Sequence, residues 1–182
     1  GVSQGSIVGN GKAISALPVA DGAATLKTYG QGDFATCVWV RDGDTGKWSD
    51  GELIGHLQGN KARMALEVFD GVQSVDRMKL VRRLDRLCGE FDKRLPILLQ
   101  VNMGPDPRKF GVSCAEAPHL LEAALSTEFL EVEGLMTIAP LEDGTGISNR
   151  TFGQLRELRD DLSSRFSVAL SELSMGMTGD LE

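Results

Sequence analysis

Ser174-Met175-Gly176-Met177-Thr178 places two hydroxyl residues around a glycine where an apolar run ends, a pattern suited to holding an anion. Small residues let the backbone approach a phosphate. A helix starting there would add N–H donors and a favourable dipole. Hydroxyl residues at a helix start also serve as ordinary caps. On chemistry alone the two readings stand even.

The other candidates also lie where apolar runs end. They are Gly55-His56-Leu57-Gln58-Gly59-Asn60-Lys61, Asn102-Met103-Gly104 and Thr137-Ile138-Ala139-Pro140. Asn60 reads equally as a helix cap and Asn102 as a loop tie. His56 has no partner at triad or metal-ligand spacing, and Lys109 reads as a solvated loop lysine. Asp160-Asp161 and Glu131/Glu133 read as solvent-facing charges. Met136, Met175 and Met177 read as core or pocket lining.

These candidates need a scaffold, and the chain supplies a regular one only after residue 50. Strands are expected at Leu53–Gly55, Gly71–Val75, Pro96–Val101, Val132–Ala139 and Leu170–Met177. A helix is expected over Asn60–Phe69. The next, capped by Asp76, carries the stripe Val81, Leu84, Leu87, Cys88 and Phe91. Ser113-Cys114-Ala115-Glu116 has the form of a capping box, opening a helix with Leu120, Leu121, Ala124 and Leu125 inward. Phe152, Leu155, Leu158, Leu162 and Phe166 mark a further amphipathic helix. Thr178–Glu182 reads as the start of another.

Strand–helix alternation of this kind implies parallel βαβ units, in a doubly wound sheet or a (β/α)8 barrel. Either architecture collects its site at the carboxyl ends of the strands, where the candidates lie. Residues 1–50 are rich in Gly, Ala, Thr and Asp and show no sustained period. Short runs there, such as Phe34–Val40, read as a strand, and residues 42–46 as a turn. The chain therefore divides into residues 1–50, unplaced, and a domain at residues 51–182.

Bulk properties narrow the partners. A net charge of −7 argues against nucleic acid, which requires a basic face. No apolar run is long enough for a membrane helix. The start has no signal-peptide pattern. Three cysteines and two histidines, none at ligand spacing, point to no metal and to reduced thiols in the cytoplasm.

Several strings together resemble the pyridoxal phosphate homeostasis family. Leu53-Ile54-Gly55-His56-Leu57-Gln58-Gly59-Asn60-Lys61 is similar to its IG-x-LQ-x-NK segment, and Ser74-Val75-Asp76 to its S(I/V)D strand end. Val101-Asn102-Met103 with Lys109-Phe110-Gly111 resembles its VN…K-x-G stretch. Gly134-Leu135-Met136-Thr137-Ile138 resembles GLM-x-I, and Leu173–Asp180 resembles LSMGMS-x-D. Gly46-Lys47-Trp48 sits where members often carry Lys-Trp. The strings follow family order and spacing over about 130 residues.

The resemblance implies a (β/α)8 TIM barrel of the alanine racemase N-terminal type, binding pyridoxal 5'-phosphate (PLP). It implies that Ser174 and the Met175–Gly176 backbone hold phosphate, and that Asn60, Asn102 and Met136 line the pocket. Family members are implied to buffer PLP or deliver it to PLP-dependent apoenzymes, without turning over a substrate. An amino-acid racemase is the alternative, disfavoured because the only tyrosine is Tyr29 in the unplaced segment.

Two departures set a third reading, a degenerate barrel without covalent cofactor. The family's Schiff-base lysine lies in a VSKT string, followed by FGEN; here Val2-Ser3-Gln4-Gly5 carries Gln4 at that place. An amide nitrogen is not a nucleophile towards an aldehyde. No motif supports Lys12 or Lys27 as a replacement. The family's RIG-x-x-x-FG motif is also absent, so an incomplete barrel is expected, with unpaired strand edges. Translation in another frame upstream of Gly46 would account for the atypical start. The idea fails if neither alternative frame of the coding DNA restores VSKT-like and FGEN-like strings.

Overall fold

The computed structural model describes the backbone of residues 6–9, 12–18, 24–31, 34–42 and 52–53, and then residues 56–104, 109–138 and 145–175. Side chains before Leu53, those of Val68 and residues 145–149, and all remaining residues lie outside the description. The chain divides into two units, Gly1–Val72 and Gln73–Glu182.

In the first unit, β1 (Ser6–Gly9), β2 (Lys12–Pro18), β3 (Ala24–Gln31) and β4 (Phe34–Asp42) pair successively antiparallel. The expected Phe34–Val40 strand is present as β4. β1, β2 and β3 were not foreseen, because their apolar residues do not alternate long enough to stand out. The proposed turn at residues 42–46 lies beyond the described residues after Asp42.

β5 (Glu52–Leu53) pairs antiparallel with β4 and parallel with the start of β6 (Gly71–Val75). Between them come a 3-10 turn, Gly59–Lys61, and α1 (Ala62–Val68). The helix expected from Asn60 therefore begins two residues later. Leu57, Ala62, Ala65 and Phe69 are fully buried in this unit.

The second unit follows the βα alternation read from the sequence. Its elements are α2 (Met78–Phe91), β7 (Leu95–Asn102), the short β8 (Val112–Ser113), α3 (Ala117–Leu125), β9 (Leu130–Thr137), α4 (Thr145–Phe166) and β10 (Glu172–Met175). The strands lie in the order β6-β7-β9-β10, with β8 on the edge of β7. β7 and β9 are parallel, as are β9 and β10.

Leu80, Val81, Leu84, Leu87 and Cys88 form the buried stripe of α2. Phe91, expected inward, is exposed, because the helix ends there and Asp92 turns away in the left-handed region at φ 50. The Lys93 amide returns to the Cys88 carbonyl at 3.0 Å and closes that end. Asp76 is not the cap. Arg77 occupies that position in extended conformation with no side-chain cap bond, and Asp76 pairs with the Arg77 guanidinium.

The capping-box residues ahead of α3 do interact. Ser113 Oγ accepts from the Glu116 amide at 3.3 Å and donates to the Glu116 carboxylate at 2.6 Å. Leu120, Leu121 and Ala124 are buried as expected, whereas Leu125, in the last turn, is exposed. Leu155 and Leu162 are the fully buried positions of α4. Arg159 of α4 donates to the Leu170 carbonyl at 3.0 Å, fixing the chain two residues before β10 begins.

Candidate phosphate-ester site

Strand register decides which side chains share a face. Cα partners in parallel strands point the same way, and successive residues alternate. Gln100 of β7 is level with Met136 of β9, which is level with Ser174 of β10. These three therefore share a face, together with Asn102 two residues beyond Gln100.

A long-range hydrogen bond shows that this face is concave. Ser174 Oγ donates to Gln73 Oε1 of β6 at 2.6 Å. β6 and β10 are three strand spacings apart. In a flat sheet that is about 14 Å. Two side chains span it with a 2.6 Å bond only if the sheet curls and both point into the curl. The four strands thus form an arc of barrel wall, with Gln73, Gln100, Met136 and Ser174 inside.

Three contacts fix the carboxyl ends of this arc. Thr137 Oγ1 donates to the Val101 carbonyl at 2.8 Å, tying the end of β9 to that of β7. Asn102 Oδ1 accepts from the Gly104 amide at 3.1 Å, making the tight turn that leaves β7. Gly111, at φ 116, passes so close that a Cβ there would lie 2.5 Å from the Asn102 amide nitrogen. The tie-down reading of Asn102 thus has a structural counterpart.

β9 reaches β10 through a second close approach. The β7–β9 register slips by one residue, with Ile97 opposite Val132 and Leu98 opposite Gly134, so Glu133 is the extra residue of a bulge. Gly134 follows immediately, and a Cβ on it would lie 1.8 Å from the Glu172 carbonyl oxygen. Glycine there lets β10 seat against β9 and present Ser174 two residues later.

The structure brings together Ser174, Met136 and Asn102 from the sequence expectations. Met136 is buried. Met175 alternates to the opposite face and its side chain is exposed, so it is not core; any role at an anion belongs to its backbone. Gly176, Met177 and Thr178 lie outside the described residues. Asn60 is exposed in the 3-10 turn of the first unit. His56 is half-buried there, and Lys109 is exposed. The side chains of Gln4, Lys12 and Lys27 lie outside the description.

Sequence reading missed Gln73 and Gln100. The available signal was a single polar residue in the apolar run Pro96–Val101. Gln100 is 3% exposed, and its Oε1 has no hydrogen-bond partner among the described residues. An orphaned acceptor on the same concave face as a hydroxyl fits a ligand with donors of its own. No described lysine stands on β6, β7, β9 or β10. No His/Cys/Asp/Glu cluster suited to a metal occurs among the described residues.

Residues 50–182 match the family model of the alanine racemase N-terminal domain. The chain belongs to that family. It is 40% identical over 128 residues to the pyridoxal phosphate homeostasis protein of Synechocystis sp., covering 70% of this chain and 59% of that protein. It is 35% identical over 130 residues to the protein of that name in Aquifex aeolicus, covering 71% of this chain and 57% of the relative. This chain therefore spans less than two thirds of the length of these relatives.

Among solved structures, PipY of Synechococcus elongatus without PLP superposes with a TM-score of 0.67 at 39% identity, covering 71% of this chain and 60% of PipY. PipY with PLP bound gives 0.66 at 38% identity with the same coverage. Alanine racemase of Clostridium difficile, 10% identical with a TM-score of 0.57, shows the shared fold. That fold is the α/β barrel of the alanine racemase N-terminal type expected from the motifs.

Proposed function

We propose that residues 51–182 form a PLP-binding domain that serves intracellular PLP homeostasis and does not itself catalyse a reaction. The observation that carries this reading is the inner-face set Ser174, Gln73, Gln100 and Met136, built at the carboxyl side of a parallel barrel arc. The names of the relatives and the PLP held by PipY support it.

When bound, PLP supplies an amine-reactive aldehyde on an electron-withdrawing ring. Ser174 would donate a hydrogen bond from its hydroxyl to the phosphate, and the family resemblance assigns the Met175–Gly176 backbone to the same group. A hydroxyl has one proton, so this exchanges the bond now made to Gln73 for a charge-assisted one. Met136 would line the ring pocket, and Asn102 holds the turn that leaves β7. Asn60 is assigned to the pocket by its motif alone. β6, β7, β9 and β10 act by hydrogen bonds and packing, since they carry no lysine. Recipients are PLP-dependent apoenzymes in the cytoplasm.

Fluorescence titration with PLP, borohydride treatment followed by intact-mass measurement, and an alanine racemisation assay test the reading together. Saturable binding without racemisation is expected. A borohydride-fixed adduct would identify a lysine outside β6, β7, β9 and β10. Absence of binding, or racemisation above background, overturns the proposal.

A further inference from the structure

Gln100 stands out among the interior residues. It follows Ile97, Leu98 and Leu99, all buried, in a strand where an apolar residue would satisfy the core. A buried carboxamide oxygen without a donor loses its bonds to water and gains none in return, so it is destabilising. Ser174 and Gln73 bond each other across the arc, whereas Gln100 Oε1 has no partner among the described residues. The register places it on the same concave face as Met136 and Ser174.

The chemistry of the atom narrows what it meets. A carboxamide oxygen accepts hydrogen bonds, and so does every oxygen of an ionised phosphate. Gln100 Oε1 therefore does not face the phosphate held by Ser174. It faces a donor some way from it. Gln100 and Ser174 are two strand spacings apart, roughly 10 Å between backbones. Their inward side chains narrow that span to the scale of one aromatic ring carrying a phosphate arm.

We infer that Gln100 is a ligand-contacting residue whose carboxamide oxygen accepts a hydrogen bond from an N–H or O–H on the ring of a bound phosphorylated heteroaromatic compound. The inference rests on the proposal that Ser174 holds a phosphate ester, and it adds the group that reads the other end of the ligand. Ser174 recognises any phosphate; Gln100 discriminates among phosphate compounds by their ring donors.

Gln100→Leu and the unbranched Gln100→Met separate this role from a structural one. Stability of the unliganded protein, PLP affinity by fluorescence, and inorganic phosphate affinity by competition are measured on each, alongside Ser174→Ala. Loss of one neutral hydrogen bond predicts PLP binding weakened about three- to tenfold. Inorganic phosphate affinity is expected to be unchanged and unliganded stability to be equal or higher, since the orphan is gone.

Unchanged PLP affinity with lowered stability would overturn the inference, because Gln100 would then serve a buried water. Equal loss of PLP and phosphate affinity would also overturn it. If Ser174→Ala lowers PLP affinity while both Gln100 variants bind as wild type, this inference fails and the phosphate reading stands. If wild-type protein binds neither compound, both fail together.

Discussion

Gly134→Ala probes the contact that presents Ser174. Its Cβ would lie 1.8 Å from the Glu172 carbonyl oxygen and 2.6 Å from the carbonyl carbon, both backbone atoms that no rotamer change can move aside. Ordinary contact begins near 3.4 Å, so the carbonyl must retreat by about 1.6 Å. β10 pairs with β9 through only four residues, Glu172 to Met175, so the shift reaches most of that ladder. Overpacking costs about 1–3 kcal/mol, and one or two weakened ladder bonds add about 1 kcal/mol each. The expected loss is about 2–4 kcal/mol by urea denaturation, with weakened PLP binding in the folded fraction. Gly153→Ala, with nothing within 4 Å of its Cβ in α4, is the matched control and is expected to gain about 0.5–1 kcal/mol from helix propensity. Gly134→Ala within about 0.5 kcal/mol of wild type, with unchanged binding, would refute the close-approach argument.

Further outcomes follow from other contacts. Asp85 Oδ1 accepts from the amides of Glu128 and Phe129 at 3.1 and 3.0 Å, so Asp85→Ala is expected to cost about 2–3 kcal/mol in denaturation, and Asp85→Asn, which keeps an acceptor, less. Burial, and secondarily Asp85, push the Cys88 thiol up to about 11. The folded state therefore holds this proton more tightly than the unfolded one. Stability is full below pH 9 and falls as pH rises towards 11; Cys88→Ala should flatten that decline in denaturation midpoints measured against pH. Peptide-level mass spectrometry after iodoacetamide at pH 8 should find exposed Cys114 labelled and buried Cys88 spared. Gly111→Ala, strained at φ 116 and crowding the Asn102 amide, is expected to cost about 1–3 kcal/mol by the same denaturation assay.

Much of the second unit was legible because its apolar residues keep one period per element. The β6 bounds Gly71–Val75 match the expected strand, and the α2 stripe follows from 3.6-residue spacing. Errors came at element ends. Phe91 and Leu125 fit their stripes yet fall in last turns, where the chain leaves the core. Asp76 looked like a cap, but the extended backbone of Arg77 moves the helix start one residue on.

The candidate site was legible only in part. Ser174, Asn102 and Met136 were found from strand-end motifs. Gln73 and Gln100 lie mid-strand, and their membership follows from inter-strand register and curl, which are long-range properties. β1, β2 and β3 escaped notice because they read individually as loop-like composition, whereas β4 did not.

The central claim is that Ser174 holds the phosphate of PLP on the inner face of this arc. Titration of wild-type and Ser174→Ala protein with PLP tests it most directly, with thermal unfolding confirming that both are folded. A hydrogen bond to a charged phosphate contributes about 1.5–3 kcal/mol, which predicts affinity lowered roughly ten- to hundredfold in Ser174→Ala. Affinities within twofold of each other would contradict the account.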